Sequence, residues 1–584
     1  MKIILYIGIS LILMGTFSSC ETMFGDYLDK PPGIDITEDV IFSDKEELLT
    51  FIAGIYYYGI PPGYPNKQGA QISGNIVNTG GAADEGDVER SWYPANDWNR
   101  GSIGPGAIRW HEDSWFLNRW DLLRRIHTVM DRIDDVPGLT TEEKNQFVGE
   151  VLFLRGLANM EMLQRYGSFP IVDRRLNPGD DLMISQSTVT ECVNFIVQDA
   201  EEAARLLPDI NDGSMKGRAT KGAALMLKSR VLLFSASPMF NTDTPYLDHG
   251  EHNNLISHGN YDVKRWEMAA DAAKAVIDWA PSGGVRLITE HGPDKNYKYV
   301  WEVPDNEEII LADKSRGGEN AWSMWPWGYY VPPPIYGGQA GVSIPMNHIM
   351  KYERRDGTWQ EWDMENGGND LSHKYAELDY RFHQSIAYNG AYWNHEFPVV
   401  ETFVGGRHTN RCLAGTWLRK GIPDALTRSV RITLNWTVFR LAEAYLNYAE
   451  ALNEAYGPVQ EAHDAINKIR NRSGQPDLPA DLTQEEFRNR VRNERAIELF
   501  FEDHRFWDIR RWLIAEDTDP ITGMGIMQGE FWGFRIYEIE DSDEFRYEPY
   551  IFKSRIFRTQ MYLHPWWQNE VNKGYLIQNP GYAG

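Results

Sequence analysis

Apolar residues recur at three- and four-residue steps along two long stretches of this chain, a spacing that predicts helices with one buried side. The first stretch runs from about Glu112 to Ala280. Its opening segment, DSWFLNRWDLLRRIHTVMDRI, sets Trp115, Trp120, Leu123 and Ile126 near one another on a helix surface. The next, EEKNQFVGEVLFLRGLANMEMLQRYG, carries Phe153, Leu157 and Met160 in step and stops at Gly167, with Pro170 just beyond. A third helix fits Thr188 to Leu207, halted by Pro208, and a fourth fits Thr220 to Ser237, with Thr220 as N-cap and Pro238 as the stop. A fifth, RWEMAADAAKAVIDW, is alanine-rich on the side that would face a neighbour.

The second stretch runs from about Trp436 to Trp512. WTVFRLAEAYLNYAEALNEAY aligns Leu441, Tyr445, Tyr448 and Leu452, while Ala442, Ala444, Ala449 and Ala451 let partner helices come close. Gly457-Pro458 interrupts, and VQEAHDAINKIRNR resumes with Ala462, Ala465, Ile466 and Ile469. The unit is a helix-turn-helix of about 34 residues, the length of a tetratricopeptide repeat. The expected fold is mostly α: several such pairs, about four, in a right-handed tetratricopeptide-like scaffold. Periodicity fails in about 59–106, 281–433 and 517–584, where Gly, Pro, Asn and aromatic residues crowd. These read as large loop-rich lobes with few short strands, the places where binding residues tend to sit.

Charge and the N-terminus narrow the function. A net charge of −26 repels nucleic acid, whose phosphates need a basic surface. Met1-Lys2 is followed by an apolar run from Ile3 to Phe17, shorter than the roughly 20 residues of a membrane span, and then by Ser18, Ser19 and Cys20. This reads as a lipoprotein signal peptide over residues 1–19, with Cys20 as the lipidated first residue of a mature protein, 20–584. Several acyl chains on one cysteine supply stable anchoring. Cys192 and Cys412 lack Cys or His neighbours at metal-ligand spacing and read as buried free thiols.

Candidate chemistry lies in aromatic clusters among 21 Trp, 29 Tyr and 24 Phe. The densest, AWSMWPWGYYVPPPIYGG, holds Trp322, Trp325, Trp327, Tyr329, Tyr330 and Tyr336. The other, ERSWYPANDWNRG, places Trp92, Tyr93 and Trp98 beside Asn96, Asn99 and Arg100. A pyranose offers an apolar C–H face to a flat ring, while its hydroxyls need donors and acceptors at the rim. Half or more of these rings are expected in the core, with one or two per cluster exposed. The acidic groups Asp84, Glu85, Asp87 and Asp541, Asp543, Glu544 read as solvated turns, without the spacing of a calcium loop. From Val491 to Trp512, five arginines alternate with five acids, which reads as a charge-paired helix and not a polyanion site. No GxSxG, HExxH or phosphate-binding glycine loop occurs, which excludes only the enzymes that need one; no catalytic set, metal or cofactor is expected.

Four motifs carry a family resemblance. GDYLDKPPGIDITEDVIFSDKEELLTFIAGIYYY (Gly25 to Tyr58) is similar to the opening of SusD/RagB proteins, and RGLANMEMLQRYGSFPIV (Arg155 to Val172) resembles their Arg-Ala…Leu…Tyr-Gly-x-x-Pro element. NERAIELFFEDHRFWDIRRW looks like their Glu-Arg…Glu-Leu-x-Phe-Glu-x-x-Arg-x-x-Asp-x-x-Arg-Trp signature, and QNPGY (Gln578 to Tyr582) resembles their closing motif. His564-Pro565-Trp566 departs from the family's more usual Pro-Ile-Pro-like element. The resemblance implies a non-catalytic lipoprotein on the outer face of a Gram-negative outer membrane. Its implied partner is a SusC-like TonB-dependent transporter and its ligand an oligosaccharide or, in some members, a peptide. The two aromatic clusters match the family's glycan-stacking loops in region only.

Overall fold

The computed structural model describes residues 37–61, 76–91, 93–106, 110–314, 341–409, 411–425, 427 and 435–582; the side chains of 76–78 and 110–118 lie outside the description. The signal segment, Cys20, Trp92 and the cluster Trp322 to Tyr330 also lie outside the described residues.

The helices begin with α1 (Lys45–Gly59), α2 (Ile76–Ala82) and α3 (Ala95–Asn99). The first periodic stretch then yields α4 (Trp110–Arg132), α5 (Thr141–Tyr166), α6 (Val189–Leu206), α7 (Lys221–Ala236) and α8 (Lys264–Trp279). Capping boxes start α5 at Thr140 with Glu143 and α6 at Thr188 with Glu191, satisfying otherwise orphaned N–H groups. Thr220 stands at the N-cap of α7 but its hydroxyl makes no cap hydrogen bond. Gly167, with φ +79°, ends α5.

After α9 (Asn296–Glu302) and α10 (Tyr380–Ser385), the second stretch gives α11 (Leu441–Tyr456), α12 (Gln460–Arg472), α13 (Gln484–Glu498) and α14 (Arg505–Arg511). Each helix packs on its successor from α5 to α8, α8 packs on α11, and α11 packs on α12 and α13. The two periodic stretches thus form one continuous stack. The approach of α7 to α8 is close enough that a Cβ at Gly222 would stand 2.0 Å from the Trp279 ring. Among the described residues no helix is long and apolar enough to cross a membrane.

The segment from Val491 to Trp512 is two helices, not one. The chain turns between α13 and α14 through Phe501 and Asp503, both at positive φ (52° and 63°). Most of its charges are paired, mainly with distant partners and not along one helix face. Among the described residues Arg492 and Asp503 meet no opposite charge within 4 Å, and Arg510 turns to the Tyr562 carbonyl. Fully buried Glu498 meets Arg381 of α10 (3.0 Å), Arg440 (2.6 Å) and Arg472 of α12; Glu308 meets Arg440 (2.9 Å) and Arg472 (2.6 Å). Burying such charges is tolerable only because each carboxylate faces guanidinium donors at hydrogen-bond distance.

Strands are short in the N-terminal and middle lobes. β1 (Asp87–Val88), β3 (Val342–Ser343), β5 (Thr416–Leu418) and β4 (Ile386–Tyr388) form one antiparallel sheet in that order, and β2 (Ile309–Asp313) pairs with β6 (Trp436–Arg440). The lobe over 517–584 departs from a loop-rich reading. It holds a long antiparallel hairpin, β7 (Gly529–Glu538) and β8 (Phe545–Arg555), with a register shift between Phe531 and Trp532. Asp541, Asp543 and Glu544 sit exposed at its turn.

Candidate functional site

Residues from three of the motifs meet around one aromatic junction. Arg510 of α14 donates to the carbonyl of Tyr562 (2.6 and 3.0 Å) and contacts His564 Nε2 at 2.9 Å. Asn579 donates to the carbonyls of Tyr166 (3.1 Å) and His564 (2.7 Å), and Tyr582 donates to that of Leu563 (3.2 Å). Trp566 stacks on Tyr166 at 4.0 Å and 11°. The departing His564-Pro565-Trp566 element is thus the centre of this junction.

Trp98 belongs to the same junction, which corrects the expectation of a ligand surface there. Its ring meets Phe506 edge-on (5.3 Å), His564 (4.7 Å) and the Arg510 guanidinium (5.2 Å), leaving it 6% exposed with no free face for a sugar. Tyr93 and Asn99 are buried too; the Asn99 amide donates to the Gly81 carbonyl at 2.9 Å. Arg100 is exposed. The partners that cover Trp98 lie some four hundred residues away in sequence, so its local setting could not reveal them.

Asp84, Glu85 and Asp87 are buried, not solvated. Arg505 holds Asp84 bidentately (2.7 Å twice), and Lys553 (2.5 Å) and Arg555 (2.7 Å) hold Asp87. Burial would raise the Asp84 pKa, but the Arg505 and Lys351 charges outweigh it and keep the carboxyl well below its usual range. Among the described residues the Glu85 carboxyl accepts only the Phe501 N–H (3.1 Å), and burial pushes its pKa up to about 8. The signal that could have revealed this cluster is the run of basic residues in β8 and α14, whose charge needs partners inside the fold.

A cleft opens where α5, α7, β6 and the α13–α14 turn converge, lined by Pro61, Gln164, Trp436, Thr437, His504 and Trp507 among others. The ion pairs around it are internal: Arg230 clamps Glu443 (2.7 and 2.8 Å), and Arg165 holds Glu161 (2.6 Å). Asp503 accepts from Thr79 (2.7 Å) and Trp507 Nε1 (3.1 Å). Burial lowers the His504 pKa to about 4, so its imidazole is neutral at pH 7. With a free volume of about 30 Å³ the cleft has room for about one or two waters, and Gln164, Trp436 and Trp507 are only 5%, 8% and 3% exposed, so it is a packed polar seam with no open ring face for a sugar. Among the described residues no group of three or more His, Cys, Asp and Glu side chains is placed to hold a metal ion, and Cys192 and Cys412 are unpaired thiols, the first buried and the second half-buried.

A stack of antiparallel helix pairs with lobes on its flank places the protein among tetratricopeptide-like helical-repeat folds. The SusD family profile matches residues 306–582, and a second profile, described as starch-binding associating with outer membrane, matches 26–233. SusD-like protein P2 of Formosa agariphila is 40% identical over 543 residues, covering 88% of this chain and 92% of that protein. The chain belongs to the SusD/RagB family. Among solved structures, a SusD-like protein from Bacteroides fragilis superposes with a TM-score of 0.74 at 24% identity, covering 95% of this chain and all of the other. A laminarin-binding SusD-like protein gives 0.60 at 19% identity, covering 93% of this chain and 100% of that one. The surface glycan-binding protein A of Bacteroides fluxus gives 0.58 at 20%, covering 92% and 100%.

Proposed function

We propose that the protein captures oligosaccharide at the cell surface and passes it, chemically unchanged, to a SusC-like TonB-dependent transporter. In this reading it is a lipoprotein of the Gram-negative outer membrane, anchored through Cys20. The observation that carries the reading is the family match along the chain, including the profile described as starch-binding associating with outer membrane over residues 26–233. Relatives named for laminarin and surface-glycan binding support the ligand class. Trp92, Arg100, Trp322, Trp325, Trp327, Tyr329 and Tyr330 make up the proposed contact set, whereas Tyr93, Trp98 and Asn99 serve packing.

The test is equilibrium binding of a panel of neutral polysaccharides and protein digests. Trp325→Ala or Trp327→Ala should each weaken glycan binding about tenfold, the ~1–1.5 kcal/mol of one stacked ring. A second reading, capture of basic peptides, is favoured by the net charge of −26. Binding of digests with no affinity for any glycan would establish it in place of the first.

A further inference from the structure

A second polar hollow lies on the helical stack, lined by residues different from those of the cleft. Two cavities of 390 and 360 Å³ adjoin along one face of α13 and share Glu485, Asn489, Arg492, Ile514 and Asp517. Each falls within the ~300–1,000 Å³ typical of small-ligand pockets. Glu485, Asn489 and Arg492 follow one another at four- and three-residue steps, so one helix face presents them together.

The neighbouring charges are engaged elsewhere. Arg511 holds Glu450 (2.5 and 2.7 Å), Arg488 holds Glu454 (2.6 Å twice), and Lys351 and Arg505 hold Asp519 and Asp84. Arg492 is left over. Among the described residues it makes no ion pair and no hydrogen bond; its guanidinium lies 4.9 Å from the Trp512 ring centre, and its Nε is buried without a partner. Burial lowers its pKa to about 10, so it stays charged at pH 7. Asn493, only 4% exposed, donates its amide to the Lys351 carbonyl (3.0 Å), while its Oδ1 is buried without a partner. The Asn489 amide and the exposed carboxylates of Glu485 and Asp517 make no side-chain hydrogen bonds among the described residues.

This hollow therefore gathers unused donors (Arg492, Asn489) and unused acceptors (Asn493 Oδ1, Glu485, Asp517). An anion would meet two exposed carboxylates, and a cation would meet Arg492. A hydroxyl both donates and accepts, so a neutral polyol satisfies both sets at once. We infer that the Arg492 hollow is a second saccharide subsite, holding one or two sugar units by hydrogen bonds with little ring stacking. The inference rests on the glycan-binding reading above and extends it to a separate face of the molecule.

Calorimetric titration of the full chain with laminaritriose and with maltotriose tests it. For at least one of these sugars, two classes of site are expected. Trp325→Ala combined with Trp327→Ala should weaken one class, and Arg492→Gln the other by about tenfold, the effect of one lost charged hydrogen bond. Asn489→Ala, at a partly exposed helix position that leaves packing intact, should reproduce the Arg492→Gln loss. A single class of site, unchanged by both Arg492→Gln and Asn489→Ala, overturns the subsite and leaves glycan binding standing. No binding of either trisaccharide by the unmodified protein overturns the subsite; no binding across the wider polysaccharide panel overturns the underlying reading as well.

Discussion

The side-chain amide of Asn579, five residues from the end of the sequence, donates to the main-chain carbonyl of Tyr166 at 3.1 Å, across 413 residues of chain. The same amide reaches the His564 carbonyl, so a single side chain satisfies two buried acceptors at the end of α5. Asn579→Ala strands both. The expected loss is about 2–3 kcal/mol, read as a lowered denaturation midpoint in guanidinium, with Asn579→Asp no better because a carboxylate has no N–H to give.

Glu498 joins α10, β6 and α12 through Arg381, Arg440 and Arg472. Glu498→Gln keeps the shape and removes the charge that offsets three buried guanidiniums. It should destabilise by roughly 3–5 kcal/mol, while the double change Glu498→Leu with Arg472→Met should recover part of that loss. Recovery absent from the unfolding curves would mean that the pairing is not what holds these elements.

Glu85 gives stability a pH dependence of opposite sign to that of most carboxylates. Its folded pKa, raised to about 8 by burial, exceeds the ordinary glutamate value of 4.5, so the folded protein binds this proton more tightly than the unfolded chain. Its contribution is complete below about pH 4.5 and is lost as pH rises through 8. Glu85→Gln should therefore raise the thermal midpoint at pH 8 and leave it nearly unchanged at pH 4.5. Equal effects at the two pH values would contradict the shift.

Arg119 is 1% exposed and, among the described residues, hydrogen-bonds only to Asn159, with Trp120 and Phe169 each 4.9 Å from its guanidinium and two of its nitrogens buried without a partner there. Burial lowers its pKa to about 9. A charge without a carboxylate in an apolar surround favours replacement by a long apolar side chain. Arg119→Met is expected to be neutral or stabilising by about 1 kcal/mol, measured by chemical denaturation.

The helical stack was legible because its signals are local. Capping threonines with glutamates three residues on, Pro208 and Pro238 as stops, and alanine-lined faces all act within one or two turns. Trp98 and Asp84 were not legible for the opposite reason. A Trp in a Gly- and Asn-rich stretch looks like a loop ring until Phe506, Arg510 and His564 are brought to it, and Asp84 looks solvated until Arg505 arrives. The β7–β8 hairpin was missed because both of its strands are only partly buried. Exposed Glu530 and Arg535 interrupt what would be a clean alternation, and the bulge at Phe531–Trp532 shifts its phase. Three of the recognisable motifs prove to be the fastening of the fold, which explains how they could identify the family without locating the ligand.

That fastening has a kinetic implication. A ribosome releases the chain from its amino end, yet the amino-terminal lobe is tied down by Lys553 and Arg555, and α5 is closed by Asn579, all in the final thirty-two residues. The helices can begin to pack on one another as they emerge, but these particular ties form only once residues 553–579 have been made. The amino-terminal lobe and the end of α5 therefore gain their full set of contacts later than the helices they sit beside.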